Sequence, residues 1–81
     1  MKRKGFDEGQ LLELIAGGSV RECKVARHGE DRWACYVRLG GPASNWLAVR
    51  SQREAVRTWA SLDTLERFTS SLGIRTFAVE S

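Results

Sequence analysis

The chain is 81 residues long and carries 13 Lys and Arg residues against 10 Asp and Glu residues, which gives a net charge of +3. A chain this short buries only about 60% of its unfolded surface and cannot support two cores, so we expect one domain over residues 1–81. The hydrophobic fraction of 42% and the charged fraction of 28% exclude a disordered chain. Its apolar runs fall short of the roughly 20 residues that cross a bilayer, and we expect a cytoplasmic protein with no membrane partner.

The first predicted element is a helix that begins after Asp7. Asp7 and Gln10 have the spacing of a capping box, in which each side chain accepts a hydrogen bond from the other residue's backbone. Gly17 and Gly18 end the helix, because glycine adopts the left-handed conformation that closes a helix. We expect residues 1–5 before the helix to form a short, flexible basic tail.

A β-hairpin follows, with strands over residues 19–28 and 32–39. Alternation in the second strand predicts one core-facing set and one outward set; the core-facing set is Trp33, Cys35, Val37 and Leu39, and the outward set is Arg32, Ala34, Tyr36 and Arg38. Cys23 and Val25 share the core face if odd residues pair with odd residues, which requires an odd-length loop or a bulge. Cys23 and Cys35 would then lie close together. We expect buried free thiols, with a disulfide as the alternative in an oxidised protein.

The second half of the chain predicts two more strands, a helix and a last strand. Residues 40–44 break the hairpin, and residues 45–50 form a short strand. Residues 55–60 favour a strand over the alternative of one long helix over 53–71, since Ser61 or Asp63 offers a fresh helix N-cap.

The second helix has an apolar stripe at helical spacing and ends at Gly73. The last strand, over residues 75–80, would bury Phe77 and Val79. The sequence therefore predicts an α+β fold in the order α-β-β-β-β-α-β, with two helices on a mostly antiparallel sheet of about five strands.

No motif in the chain predicts catalysis. The single histidine, His28, lies beside the hairpin turn, and two cysteines with one distant histidine do not have the spacing of a zinc site. The adjacent Glu30 and Asp31 occupy an exposed turn, where neither carboxylate is desolvated enough for acid–base work. We expect no enzyme activity, no catalytic residues, no metal site and no cofactor.

A basic and aromatic surface is the remaining functional signal. The candidate binding residues are Lys24, Arg32, Tyr36, Arg38, Trp46, Arg50, Arg57 and Trp59. Arginines on phosphates and aromatic rings on bases would bind nucleic acid, while the same residue types dominate protein–protein hot spots. Trp46 and Trp59 also have the structural alternative of packing beneath a helix or filling the core.

The last thirty residues carry a resemblance to a known family. The ordered motifs are Gln52 and Arg53; Val56, Arg57, Thr58 and Trp59; Ser61, Leu62, Asp63, Thr64 and Leu65; Phe68; Leu72, Gly73 and Ile74; and Phe77, Ala78 and Val79. In these the chain resembles the small ParC-like partition-associated proteins of bacterial plasmids and integrative mobile elements. The resemblance implies a non-enzymatic accessory encoded near partition or transfer genes, and it assigns no site residues.

Two function hypotheses follow, the first from the surface and the resemblance and the second by analogy with other small proteins that have no catalytic residues. The first is an accessory of a bacterial mobile element that binds DNA or a partition complex through a basic sheet face. The alternative is a small protein-binding inhibitor of a host system, such as an anti-CRISPR protein, encoded by a mobile element or phage. An open sheet also leaves edge strands, through which the chain could form a homodimer.

Overall fold

Two helices and five strands occur in the predicted order in the part of the chain that the structure describes, and the α+β class is confirmed. The computed structural model describes residues 5–41 and 43–80, so the basic residues Lys2, Arg3 and Lys4 of the predicted tail lie outside the described residues. The elements are α1 (Glu8–Ala16), β1 (Glu22–Arg27), β2 (Trp33–Arg38), β3 (Leu47–Ala48), β4 (Thr58–Trp59), α2 (Leu62–Ser71) and β5 (Ala78–Glu80).

Local hydrogen bonds define both ends of α1. The Asp7 carboxylate accepts from the backbone N–H of Gln10 at 2.9 Å, and the Gln10 side chain accepts from the backbone N–H of Asp7 at 3.1 Å. At the other end, Gly18 has a φ of +74°, and the N–H of Ser19 donates to the carbonyl of Leu14. The predicted capping box and glycine closure are therefore both confirmed.

The hairpin of β1 and β2 has the predicted register. Cys23 pairs with Val37 and Val25 pairs with Cys35, so odd residues face odd residues across the ladder. The five-residue connection over 28–32 supplies the odd-length loop that this register needs. One face of the hairpin is consequently apolar and points toward the core.

The sheet order is β3-β2-β1-β5, and β4 pairs with β2 beside β3. β1, β2, β3 and β4 pair antiparallel, whereas β5 lies parallel to β1. The N-terminal segment joins the same layer, because Phe6 forms a parallel bridge with Val49. The mostly antiparallel sheet that the sequence predicts is therefore present, with one parallel edge strand.

The ambiguous stretch before α2 is a strand followed by a helix, as we expected. Thr58 pairs with Ala34, and Ser61 rather than Asp63 is the N-cap of α2. The Ser61 hydroxyl accepts from the N–H of Thr64 at 3.2 Å. At the end of α2, the N–H of Ile74 donates to the carbonyl of Thr69, which completes the closure that the sequence predicts around residue 73.

Both helices contribute to the core on the odd-numbered face of the sheet. The buried cluster contains Leu11, Cys23, Val25, Cys35, Val37, Val49, Trp59, Leu65 and Leu72. Phe77 is half-buried and packs against this cluster, but the prediction that Val79 is buried is wrong, since Val79 is 52% exposed. Among the described strands, β5 pairs only with β1, so the side chain of Val79 is not covered from the outer edge of the sheet.

Candidate functional site

The sheet face opposite the core carries the even-numbered residues of the strands. Lys24, Tyr36 and Ala48 lie side by side across β1, β2 and β3, and Glu22 lies opposite Arg38. Both described helices contribute to the core on the other face. We call this second side the open face, and it consists of Glu22, Lys24, Tyr36, Arg38, Trp46, Ala48 and Glu80.

Trp46 lies against two cations of the open face. The centroid of its ring is 4.6 Å from Lys24 Nζ and 4.3 Å from Arg38 Cζ, and Lys24 Nζ is 5.8 Å from the centroid of Tyr36. Cation–π contacts at partly exposed sites contribute about 0.5–1 kcal/mol each. Trp46 is half-buried and packs against both cations without any partner.

Carboxylates neutralise both cations of the open face. Lys24 Nζ lies 3.1 Å from Glu80 Oε2, and Arg38 is paired with Glu22. The side chains of Lys24 and Arg38 are 20% and 15% exposed, whereas those of Glu80 and Glu22 are 63% and 45% exposed. The charges that solvent or a partner meets first on this face are consequently negative.

A groove of about 560 Å³ opens beside Trp46. Its lining is mostly apolar and consists of Gly5, Tyr36, Trp46, Leu47, Ala48, Arg53, Ala55 and Val56. The wall at Gly5 is close-fitting, because a Cβ atom at this position would stand 2.3 Å from the carbonyl oxygen of Ala48. The groove thus offers an apolar pocket next to a positioned tryptophan, with exposed Arg53 as its charged lining residue.

Two predicted candidates, Arg50 and Arg57, contact the N-terminal turn of α1 instead. Arg50 Nη2 lies 3.7 Å from Asp7 Oδ2, and Arg57 Nη1 donates to Glu8 Oε1 at 3.3 Å. Acidic side chains belong in the first turn of a helix, where they face the positive end of its dipole. Arg50 therefore joins the helix to the segment that follows β3, Arg57 joins it to the segment that precedes β4, and both lie apart from the open face.

Trp59 lies in the core and not on a binding surface. It is among the buried residues, and its ring packs on Phe68 with 4.9 Å between centroids and an interplanar angle of 47°. Arg57 lies over the same ring at 4.9 Å from its centroid. Of the two alternatives open for this tryptophan, the structure shows the one in which it fills the core.

Arg32 is exposed, but its guanidinium is bound to β4. Its Nε donates to Thr58 Oγ1 at 3.0 Å and its Nη2 donates to the carbonyl of Thr58 at 3.1 Å. The eight candidates therefore do not form one surface. Four of them come together on the open face, namely Lys24, Tyr36, Arg38 and Trp46.

Sequence reasoning missed the acidic members of the face and the groove. The alternation that turns Lys24 outward also turns Glu22 outward, so Glu22 had a signal in the sequence. Glu80 had none, because its position depends on the parallel pairing of β5 with β1. The groove likewise depends on the packing of residues that are far apart in sequence, from Gly5 to Val56.

The described residues contain little else with chemical character. Across 5–41 and 43–80, no three His, Cys, Asp or Glu side chains cluster in a way that could hold a metal ion. Within the same ranges, neither helix has the length and apolar content needed to span a bilayer.

Comparisons with models of protein families, with curated proteins and with solved structures find no match. The resemblance to ParC-like proteins accordingly remains a prediction from the ordered motifs.

Proposed function

We propose that this protein is a non-enzymatic accessory that binds a partner protein through the open face and the adjoining groove. One observation carries the proposal: Trp46 is held against Lys24 and Arg38 at the edge of a mostly apolar groove. Tryptophan, tyrosine and arginine are the residues most enriched at the energetic centres of protein interfaces. A partner that inserts an apolar or aromatic side chain beside Trp46 would bury both rings of the face.

The charge arrangement favours a protein over nucleic acid as the partner. Phosphate binding requires cations that can displace counterions from the nucleic-acid backbone. On the open face, Glu22 and Glu80 are more exposed than the cations with which they pair. On the open face, an approaching phosphate would meet these carboxylates before the paired cations, which leaves Arg53 of the groove as the exposed cation, whereas a protein surface can complement the carboxylates with Lys or Arg.

The contacts that already exist within the open face support the same proposal. Association costs about 0.5–1.5 kcal/mol for each side chain that must be immobilised. Lys24, Arg38 and Trp46 already hold one another in place in the free protein, so a partner orders little on binding. Prior order of this kind allows a small interface to bind with useful affinity.

The setting that we propose is the one that the resemblance implies. The partner would then belong to the partition complex of a bacterial plasmid or integrative element, in the cytoplasm. An inhibitor of a host system would use the same face and differ only in the protein that it binds.

Peptide display with matched variants tests the proposed face. A random peptide library on phage is selected against the wild-type protein, and enriched peptides are titrated by calorimetry. We expect apolar or aromatic anchors among them, and Trp46→Ala should weaken their binding by about 30-fold or more, which corresponds to a hot-spot loss of about 2 kcal/mol. Arg67→Ala is the matched control, because Arg67 is exposed on α2, away from the groove.

A parallel titration tests the alternative that the protein binds nucleic acid. Labelled duplex and single-stranded DNA are titrated by fluorescence anisotropy at about 50 and 200 mM salt, a range over which several phosphate contacts cost orders of magnitude in affinity. Saturable, salt-sensitive DNA binding that Trp46→Ala leaves intact would overturn our proposal. Peptides that bind the Trp46→Ala variant as tightly as the wild type would overturn the assignment of the face.

A further inference from the structure

Two thiols face each other across the core side of the hairpin. Cys23 Sγ and Cys35 Sγ are 3.5 Å apart, and both cysteines are free. They are diagonal neighbours in the ladder, because Cys23 pairs with Val37 and Cys35 pairs with Val25. The pair lies on the side of the sheet opposite the open face, so the argument for its chemistry does not rest on the proposed function.

Cys23 borders a cavity on the core side of the sheet. Cys23 lines a cavity of about 200 Å³ together with Ile15, Val20, Arg21, Ile74 and Arg75. A water molecule takes about 30 Å³ of liquid volume, so a reagent as small as hydrogen peroxide has room beside Cys23. Cys23 is 8% exposed and Cys35 is fully buried, and a reagent therefore meets Cys23 before Cys35.

The electrostatics of the pair give the two thiols different roles. Either thiol can donate in this contact, and a hydrogen bond from Cys35 to the Cys23 thiolate lowers the pKa of Cys23. The same hydrogen bond, together with burial, raises the pKa of Cys35. Because the thiolate is the nucleophile, Cys23 is the sulfur that reacts first.

We propose that Cys23 and Cys35 form a peroxide-reactive site, in which Cys23 is the attacking thiol and Cys35 is the resolving thiol. The Cys23 thiolate attacks one oxygen of hydrogen peroxide, the O–O bond breaks, and the departing hydroxide takes up a proton to become water. Cys23 is then a sulfenic acid. The sulfur of Cys35 attacks the Cys23 sulfur, the S–O bond breaks, and the hydroxyl leaves with the Cys35 proton as the second water. In total, two thiols and one peroxide yield one disulfide and two waters.

The ladder geometry makes this disulfide reversible. Diagonal neighbours in an antiparallel pair have Cα atoms about 7–8 Å apart, whereas disulfides favour about 5.5–6 Å. Bond formation therefore draws β1 and β2 together at Cys23 and Cys35, and such bonds are more easily reduced than relaxed ones. A dithiol reductant should restore both thiols.

Intact-mass spectrometry of the full chain tests the site. The reduced protein is treated with hydrogen peroxide, the reaction is quenched with a thiol-alkylating reagent in urea, and the intact mass of the chain is measured. We expect the wild type to lose two hydrogens in an intramolecular bond and to recover them with dithiothreitol. Cys35→Ser should instead gain one oxygen at Cys23, which dimedone traps as a sulfenic acid. In Cys23→Ser, oxidation of Cys35 should be slower by about tenfold or more, because Cys35 is buried.

Two controls test the proposal even if a serine variant does not fold. Circular dichroism establishes that each variant is folded, and the wild-type chain in urea shows the reactivity of both cysteines without structure. A folded wild type that stays reduced at peroxide levels that oxidise the urea-unfolded chain would overturn the proposal. So would disulfides that join two chains in place of Cys23 to Cys35, or a Cys23→Ser variant oxidised as fast as the wild type.

Discussion

The Gly5→Ala substitution probes how the N-terminal segment is attached beside the groove. Gly5 has a φ of +89°, and a Cβ atom there would stand 2.3 Å from the carbonyl oxygen of Ala48. Next to it, the N–H of Phe6 donates to Ala48 O at 3.0 Å and the N–H of Arg50 donates to Phe6 O at 2.8 Å. The methyl group would therefore push apart a segment that two backbone hydrogen bonds hold.

The expected cost can be separated into two parts by a matched variant. Gly18 has a φ of +74°, but a Cβ atom there would meet nothing within 4 Å. Gly18→Ala should lower the free energy of unfolding only by the cost of placing alanine in the left-handed conformation, about 1–2 kcal/mol. Gly5→Ala adds the weakening of two hydrogen bonds worth about 0.5–1.5 kcal/mol each, so we expect a loss of about 2–5 kcal/mol in unfolding free energy.

Urea unfolding followed by tryptophan fluorescence measures both variants against the wild type. In a domain of this size, each kcal/mol also lowers the melting temperature by about 4–8 °C, which circular dichroism can check. Gly41→Ala serves as the baseline, because a Cβ atom at Gly41 meets nothing within 4 Å and its φ is not positive. The reasoning is refuted if Gly5→Ala costs no more than Gly18→Ala.

Three further predictions concern the core, the attachment of α1 and the thiols. Leu65→Ala should lower the unfolding free energy by about 2–5 kcal/mol in urea titration, because the fully buried Leu65 would leave a cavity; a loss below about 1 kcal/mol would contradict this. A double-mutant cycle of Glu8→Ala and Arg57→Ala should give a coupling below about 1 kcal/mol that falls with salt, since both groups are partly exposed; a salt-independent coupling would count against it. Removing the Cys35 donor by Cys35→Ala should raise the pKa of Cys23, so the rate of Cys23 alkylation should rise at a higher pH than in the wild type; an unchanged pH profile would speak against the hydrogen bond.

Local sequence determined most of the elements and their ends. The Asp7 and Gln10 side chains close the first turn of α1 whatever packs on it, because both partners lie within one turn. The facing of the hairpin residues was equally local, since an odd-length loop pairs odd residues with odd residues and so puts Cys23 and Cys35 on one side. The prediction that these thiols lie close together rested on that register and is confirmed.

The candidate site was only partly predictable from sequence. Alternation correctly placed Lys24, Tyr36 and Arg38 on the face away from the core. It could not show that Arg50 and Arg57 face the acidic first turn of α1, because that contact depends on where the helix docks. Composition identifies charges but not their partners, and partners decide whether a cation is available to a ligand.

Tertiary structure alone decided how the sheet is assembled. The periodicity of apolar residues predicts which side of a strand is apolar, but it does not predict which other strand lies next to that strand. β5 is a parallel edge strand beside β1, and this placement both exposes Val79 and brings Glu80 to Lys24. Short-range sequence patterns thus determined the secondary structure and the side of the sheet to which each strand residue points. Strand order, ion pairing and the groove beside Trp46 arose from contacts between residues far apart in the chain.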